Sequence, residues 1–132
     1  MKTISVTSSR REEFIDITSL IEAAVQESGV DDGVVICFVP HTTAGITVNE
    51  AADPDVRRDI LDKLRREIPQ QDSYHHTEGN SDAHLKASLM GCSLQLLVHD
   101  GKPVLGRWQG VYFCEFDGPR NRQLIVKVGR FA

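Results

Sequence analysis

The sequence is short of cysteine, of long apolar runs and of excess positive charge, and each shortage excludes something. Cys37, Cys92 and Cys114 are odd in number, widely spaced and never in a C-x-x-C pattern. That argues against a disulfide framework and a thiolate zinc site, and the three read as small buried hydrophobes in a reducing cytoplasm. No apolar run approaches the ~20 residues of a membrane-spanning helix, and the N-terminal stretch has no apolar segment of the signal-peptide kind. A cytoplasmic protein without a membrane partner is therefore expected. Lys and Arg number 15 against 19 Asp and Glu, for a net charge of −4. Such a chain has no global attraction to nucleic acid, and a nucleic-acid partner is not expected. There is no G-x-G-x-x-G, phosphate loop, H-E-x-x-H or G-x-S-x-G, and no internal repeat, low-complexity tract or linker.

What is present is one domain's worth of chain. The 132 residues are enough to bury about two thirds of the unfolded surface without disulfides or a structural metal. Any activity must sit within the single domain 1–132 or between its copies.

Hydrophobic periodicity outlines the elements. Residues 3–8 alternate as a strand. A helix follows, with Thr18 as its N-cap, Ile17, Leu20, Ile21, Ala24 and Val25 as its apolar face and Gly29 as its end. Residues 34–39 form an unbroken apolar run, the pattern of a strand buried on both faces. Residues 46–49 are a further short extended piece. Asp53 caps a second helix with Pro54 in its first turn and Val56, Ile60, Leu61 and Leu64 as its stripe. Residues 69–80 read as loop, 81–90 as a third helix stopped by Gly91, and 94–98 as a strand. Asp100-Gly101 is a hairpin turn with 104–105 as the return, and 111–116 and 124–128 are two more strands. The sum is a single α+β domain of about seven short strands and three helices.

Three segments concentrate chemistry. Residues 74–84 hold three of the five histidines, the acids Glu78 and Asp82 and the amide of Asn80. With Asn80 or Ser81 as cap, Asp82 and His84 fall in the first helical turn, and His84 shares a face with Ser88. A helix N-terminus there suits an anion, and the upstream histidines could meet His84 around a divalent ion such as zinc. Asp82 is alternatively only a partner for the helix dipole, and His75 is a solvent-facing residue. The second segment, 40–50, puts His41, threonines and Asn49 at the end of an apolar strand. His41, Thr43, Thr47 and Asn49 share one strand parity, unless Pro40 and Gly45 break it. The third segment carries Trp108 and Gln109 between glycines, then Glu115, which alternates with Val111 and Phe113 onto an apolar face. A buried acid there needs an arginine or a metal. Arg107, Arg120 and Arg122 form a local basic cluster suited to phosphate, or Glu115 and Arg120 pair to hold a turn.

Taken together, P-H-T-T-A-G-I-T-V-N-E at 40–50, Y-H-H-T-E-G-N-S-D-A-H-L-K-A-S-L at 74–89 and L-G-R-W-Q-G with E-F-D-G-P-R within 105–120 resemble the YjbQ family. These are small bacterial and archaeal proteins also called secondary thiamine-phosphate synthases. The resemblance spans essentially the whole chain. It implies an α+β fold with a β-sandwich, a homotrimer, and weak joining of a pyrimidine methyl pyrophosphate to a thiazole phosphate with loss of pyrophosphate. Asn80, Asp82, His84 and Glu115 are then the candidate catalytic residues. Thr42, Thr43, Asn49, Ser88, Trp108, Gln109 and Arg120 are the candidates for holding a small phosphorylated substrate. His41, His76 and His84 would converge on a divalent metal (zinc or magnesium) or an anion, with Asp82 orienting a histidine. The short Glu78-Gly79-Asn80 stretch and Ser81, where alanine is usual, depart from the family pattern. A non-catalytic trimer that binds a phosphorylated metabolite through the same pocket is the alternative. With the trimer that the resemblance implies, a site at or near a subunit boundary is the favoured way for so short a chain to enclose a substrate.

Overall fold

A computed structural model describes residues 1–131. The order of elements is β1 (Lys2–Thr7), β2 (Glu13–Asp16), α1 (Thr18–Ser28), β3 (Asp32–Phe38), β4 (Ala44–Glu50), α2 (Pro54–Glu67), α3 (Ser81–Met90), β5 (Ser93–His99), β6 (Lys102–Pro103), β7 (Gln109–Glu115) and β8 (Asn121–Arg130). The strands form a five-stranded sheet, β1-β8-β3-β5-β6, and a three-stranded sheet, β2-β7-β4, with every neighbour antiparallel. The α+β expectation holds, with three helices and eight strands. The extra strand is β2, whose four residues are too few for periodicity to register.

The molecule is layered: large sheet, small sheet, then α2 and α3. Val35, Cys37, Leu124 and Val126 of the large sheet meet Ile46, Val111 and Phe113 of the small one, with α1 closing the same core through Ile21, Ala24 and Val25. Phe14, Tyr112, Cys114 and Phe116 face the other way, against Ala83 and Ala87 of α3 and Ile60, Leu61 and Leu64 of α2. The strand buried on both faces is therefore β7. The apolar run in β3 is buried on one face only, because among the described residues no element covers the outer side of the large sheet. Ile36 and Phe38 of β3 and Leu97 of β5 stand 45%, 41% and 60% exposed there.

Local signals place several ends well. Asp53 accepts from the Asp55 N–H at 2.9 Å with Pro54 behind it. Asp100 and Gly101, with φ of 50° and 73°, form a turn whose two left-handed residues match the twist of a β-hairpin. The start of α1 differs from expectation. Ile17 takes the cap position, and Thr18 is the first helical residue. Its hydroxyl donates to Asp16 Oδ1 at 2.6 Å and accepts from the Val111 N–H at 2.9 Å. Gly45 lets α3 end against β4: a Cβ there would lie 2.8 Å from the Gly91 carbonyl oxygen, which the Ile46 N–H uses at 3.0 Å.

Candidate functional site

The ends of β3 and β7, the start of β8 and the N-terminus of α3 enclose an open cleft of 760 Å³, with His41, Thr42, Asn80, His84, Asp117 and Arg120 among its lining. Each polar group is held by a local cause. His41 lies two residues past buried Val39, which follows the end of β3. Its Nε2 accepts from the Gln123 N–H at 2.9 Å, so a neutral ring carries its proton on Nδ1. Burial, followed by the nearby Arg122 charge, holds this histidine below its ordinary pKa. Asn80 stands at the N-cap of α3 yet makes no capping bond. Its Nδ2 donates to Asp117 Oδ2 at 2.9 Å, and its Oδ1 lies 3.1 Å from His76 Nε2. The His76 and His84 rings meet edge to face, centroids 5.3 Å apart. Arg120 donates from Nε to the Asp117 carbonyl at 2.8 Å and from Nη2 to Asp117 Oδ2 at 3.0 Å.

The remaining site residues anticipated from sequence are distributed differently. Thr43 is buried and accepts on Oγ1 from Arg122 Nη2 at 2.8 Å. Glu115 is fully buried and pairs with Arg122, not with Arg120. Arg122 Nε donates to Glu115 Oε1 at 2.9 Å, the Ser8 hydroxyl to the same oxygen at 2.6 Å, and the Asp117 N–H to Oε2 at 3.1 Å. Burial alone would raise the Glu115 pKa, but the Arg122, Ser8 and Asp117 donors outweigh it and hold the carboxyl below its ordinary range. The carboxylate has no free face for a substrate, so it ties the two sheets together.

Asp82 is likewise turned away from the histidines. Arg11 grips it in a fork at 3.0 and 3.1 Å, and the fully buried Lys86 donates to it at 2.9 Å. Burial raises its pKa, and the Arg11 and Lys86 hydrogen bonds bring it back below the ordinary value. In this chain it orients no histidine. Ser88 spends its hydroxyl on the His84 carbonyl at 2.9 Å.

Asn49, Trp108 and Gln109 lie at the opposite end of the small sheet. The Ala44–Glu115 and Glu50–Gln109 pairs mark its two ends. Six strand steps separate them, about 20 Å. Gln109 Oε1 accepts from the Gly106 N–H at 2.7 Å, and Arg107 stacks on the exposed Trp108 with 4.6 Å to the ring centre. The three-arginine cluster is thus divided, with only Arg120 presenting an exposed guanidinium to the cleft.

A metal does not fit the side chains as they stand. The Nε2 atoms of His41 and His76 are both engaged, and among the described residues no three His, Cys, Asp or Glu side chains gather as a ligand set. The anion alternative retains Arg120 and the amide of Asn80. One further expectation changes, at Cys92. Cys37 and Cys114 are buried, which raises both thiols, Cys37 to about 11, whereas Cys92 is exposed on the cleft wall. Asp117 escaped notice because its Asp-Gly-Pro context reads as a turn.

An antiparallel two-sheet domain with two helices on one face and a cleft of histidine, amide and guanidinium groups defines the class. The UPF0047 protein YjbQ-like family matches residues 2–130, and the chain belongs to that family. It is 54% identical over 123 residues to UPF0047 protein MJ1081 of Methanocaldococcus jannaschii, covering 93% of this chain and 89% of that one. It is 46% identical to UPF0047 protein YugU of Bacillus subtilis, covering 97% and 98%. Among solved structures, a YjbQ/UPF0047 family protein of Clostridium acetobutylicum superposes with a TM-score of 0.96 at 56% identity, covering 98% of this chain and all 100% of that one. A protein of unknown function from Sulfolobus solfataricus superposes at 0.92 with 35% identity, covering 96% and 94%. Among the described residues no helix is long and apolar enough to cross a membrane.

Proposed function

We propose that the cleft binds a small phosphorylated substrate and that the protein is a cytoplasmic homotrimer with weak thiamine-phosphate synthase activity. The observation that carries the reading is Arg120, braced twice by Asp117 and set in one cleft with His41, Asn80 and His84. In the reaction, the carbon–oxygen bond of a pyrimidine methyl pyrophosphate breaks and pyrophosphate leaves with the electron pair. The thiazole nitrogen then forms the new carbon–nitrogen bond. Such a step asks for donors to the departing anion more than for a nucleophile. Arg120 supplies a planar fork for phosphate oxygens, and neutral His41 offers its Nδ1 proton.

Arg120→Ala is expected to weaken pyrophosphate binding about tenfold or more in calorimetry, as loss of a charged donor does. His84→Ala and Arg120→Ala should abolish growth of a thiamine-phosphate synthase-deficient strain rescued by the wild type, with thermal melting unchanged. If the wild type binds pyrophosphate but fails to rescue, the catalytic part falls and a metabolite-binding trimer remains. No pyrophosphate binding would remove both.

The trimer draws support from the uncovered apolar face of the large sheet. Phe38 belongs both to that face and to the cleft wall, so a copy seated there would border the site. Ile36→Asp combined with Leu97→Asp should convert the sedimenting species to monomer. Wild-type protein that sediments as a monomer would contradict the assembly.

A further inference from the structure

Asp117 braces Arg120, yet a carboxylate beside an anion site is at first sight unfavourable. Its side chain is 16% exposed, and a single oxygen, Oδ2, accepts from both Asn80 Nδ2 and Arg120 Nη2. An ionised carboxylate only accepts hydrogen bonds. The amide end that faces it must therefore be the NH₂, which directs Asn80 Oδ1 to His76. His76 Nε2 is then the donor to that oxygen, with the Glu78 carboxylate 3.7 Å away.

The position of Asn80 shows that this orientation outweighs an ordinary alternative. An N-cap asparagine normally accepts from a helix N–H. Here that bond is not made, and both ends of the amide are used by side chains around the cleft. Asp117 is fixed in turn: its own N–H is held by buried Glu115, and its carbonyl holds Arg120 Nε.

We propose that Asp117 is a positioning residue of the cleft: it holds the Asn80 amide and the Arg120 guanidinium so that both present N–H donors to a bound anion. The proposal deepens the phosphate-binding reading above and rests on it. Charge alone makes the opposite statement, because removing a negative group should strengthen anion binding.

Two substitutions separate these views. In Asp117→Asn an amide oxygen can occupy the place of Oδ2 and accept from both partners, whereas Asp117→Ala frees the Asn80 amide and leaves Arg120 only its Nε bond to the backbone carbonyl of residue 117. Pyrophosphate binding by calorimetry is expected to weaken about tenfold in Asp117→Ala and to stay within about threefold of wild type in Asp117→Asn. The Asn80 side-chain amide, followed by nitrogen-15 NMR without ligand, should keep its hydrogen-bonded proton shift in Asp117→Asn and lose it in Asp117→Ala. Equal or tighter binding by Asp117→Ala, or identical effects of the two variants, overturns the proposal. If wild type does not bind pyrophosphate, the phosphate-binding reading fails. The Asn80 resonance then decides the positioning role separately, and an unchanged signal in Asp117→Ala ends it. Asn80→Ala, which removes no capping bond, is the second variant should Asp117→Ala fail to fold. It should weaken pyrophosphate binding while leaving Arg120 paired, and wild-type affinity would count against the proposal.

Discussion

Asp82→Ala is expected to lower stability by about 3–5 kcal/mol, the cost of breaking a buried ion pair from one side. Asp82 and Lys86 are both fully buried one helical turn apart on α3. Arg11 reaches Asp82 from the loop between β1 and β2, and Glu12 from the same loop accepts from Lys86 at 2.8 Å. Arg65 of α2 joins through Glu12 at 3.1 Å. The network fastens that loop and α2 to α3, and removing its central carboxylate leaves two cations facing each other without their shared anion. Lys86→Met leaves the Arg11–Asp82 and Arg65–Glu12 pairs intact and should cost less, about 1–2 kcal/mol. Denaturant unfolding of both variants measures the difference. A catalytic Asp82 would give the reverse pattern: stability within about 1 kcal/mol of wild type with ligand binding or growth rescue lost.

Glu115→Gln should be comparably damaging, about 3–5 kcal/mol, although it preserves shape. The neutral amide leaves Arg122, 4% exposed, as a charge between the sheets without a counter-ion. The same pair makes the fold acid-sensitive. Glu115 sits below its ordinary value of 4.5 when folded and returns to it when unfolded. Its contribution is therefore complete above about pH 5 and declines as pH falls through the folded value. Asp82 acts in the same direction from its ordinary value of 3.8. The wild-type melting temperature should drop steeply below about pH 4.5, and the drop should be shallower in Glu115→Gln, which has lost the Glu115 proton linked to unfolding. Parallel melting curves across pH 7 to 3 for the two proteins would refute this account.

Both cases show where the sequence was legible. Alternation along 111–116 already placed Glu115 on the face of Val111 and Phe113, and a buried acid there demanded a partner. The partner is Arg122, two residues beyond the alternative partner Arg120, because β8 faces β7 across the core and brings Arg122 inward with Leu124 and Val126. For Asp82, helical spacing located the residue in the first turn of α3 but left its direction open. Arg11, 71 residues earlier, decided it. Asn80 was readable as a cap by residue type, yet its side chain answers to Asp117 and His76. His41, Thr43, Thr47 and Asn49 share one strand parity, which Pro40 and Gly45 could break. β4 in fact begins at Ala44, so His41 and Thr43 belong to the cleft while Asn49 lies at the far end.

By itself the sequence determined the α+β class, the position of α3, the Asp53–Pro54 start of α2, the Asp100–Gly101 turn and the membership of its motifs in one family. Periodicity, capping and turn chemistry act within a few residues of one another, and so they survive in one dimension. Tertiary structure alone decided that β7 rather than β3 is covered twice. It also decided that Asp82 and Glu115 are structural anions, and that Arg120, Asn80 and Asp117 form one polar unit while Trp108 and Gln109 stand about six strand steps away. Those outcomes depend on which surfaces meet across a fold whose contacts join segments tens of residues apart, and no local pattern encodes the other side of such a contact.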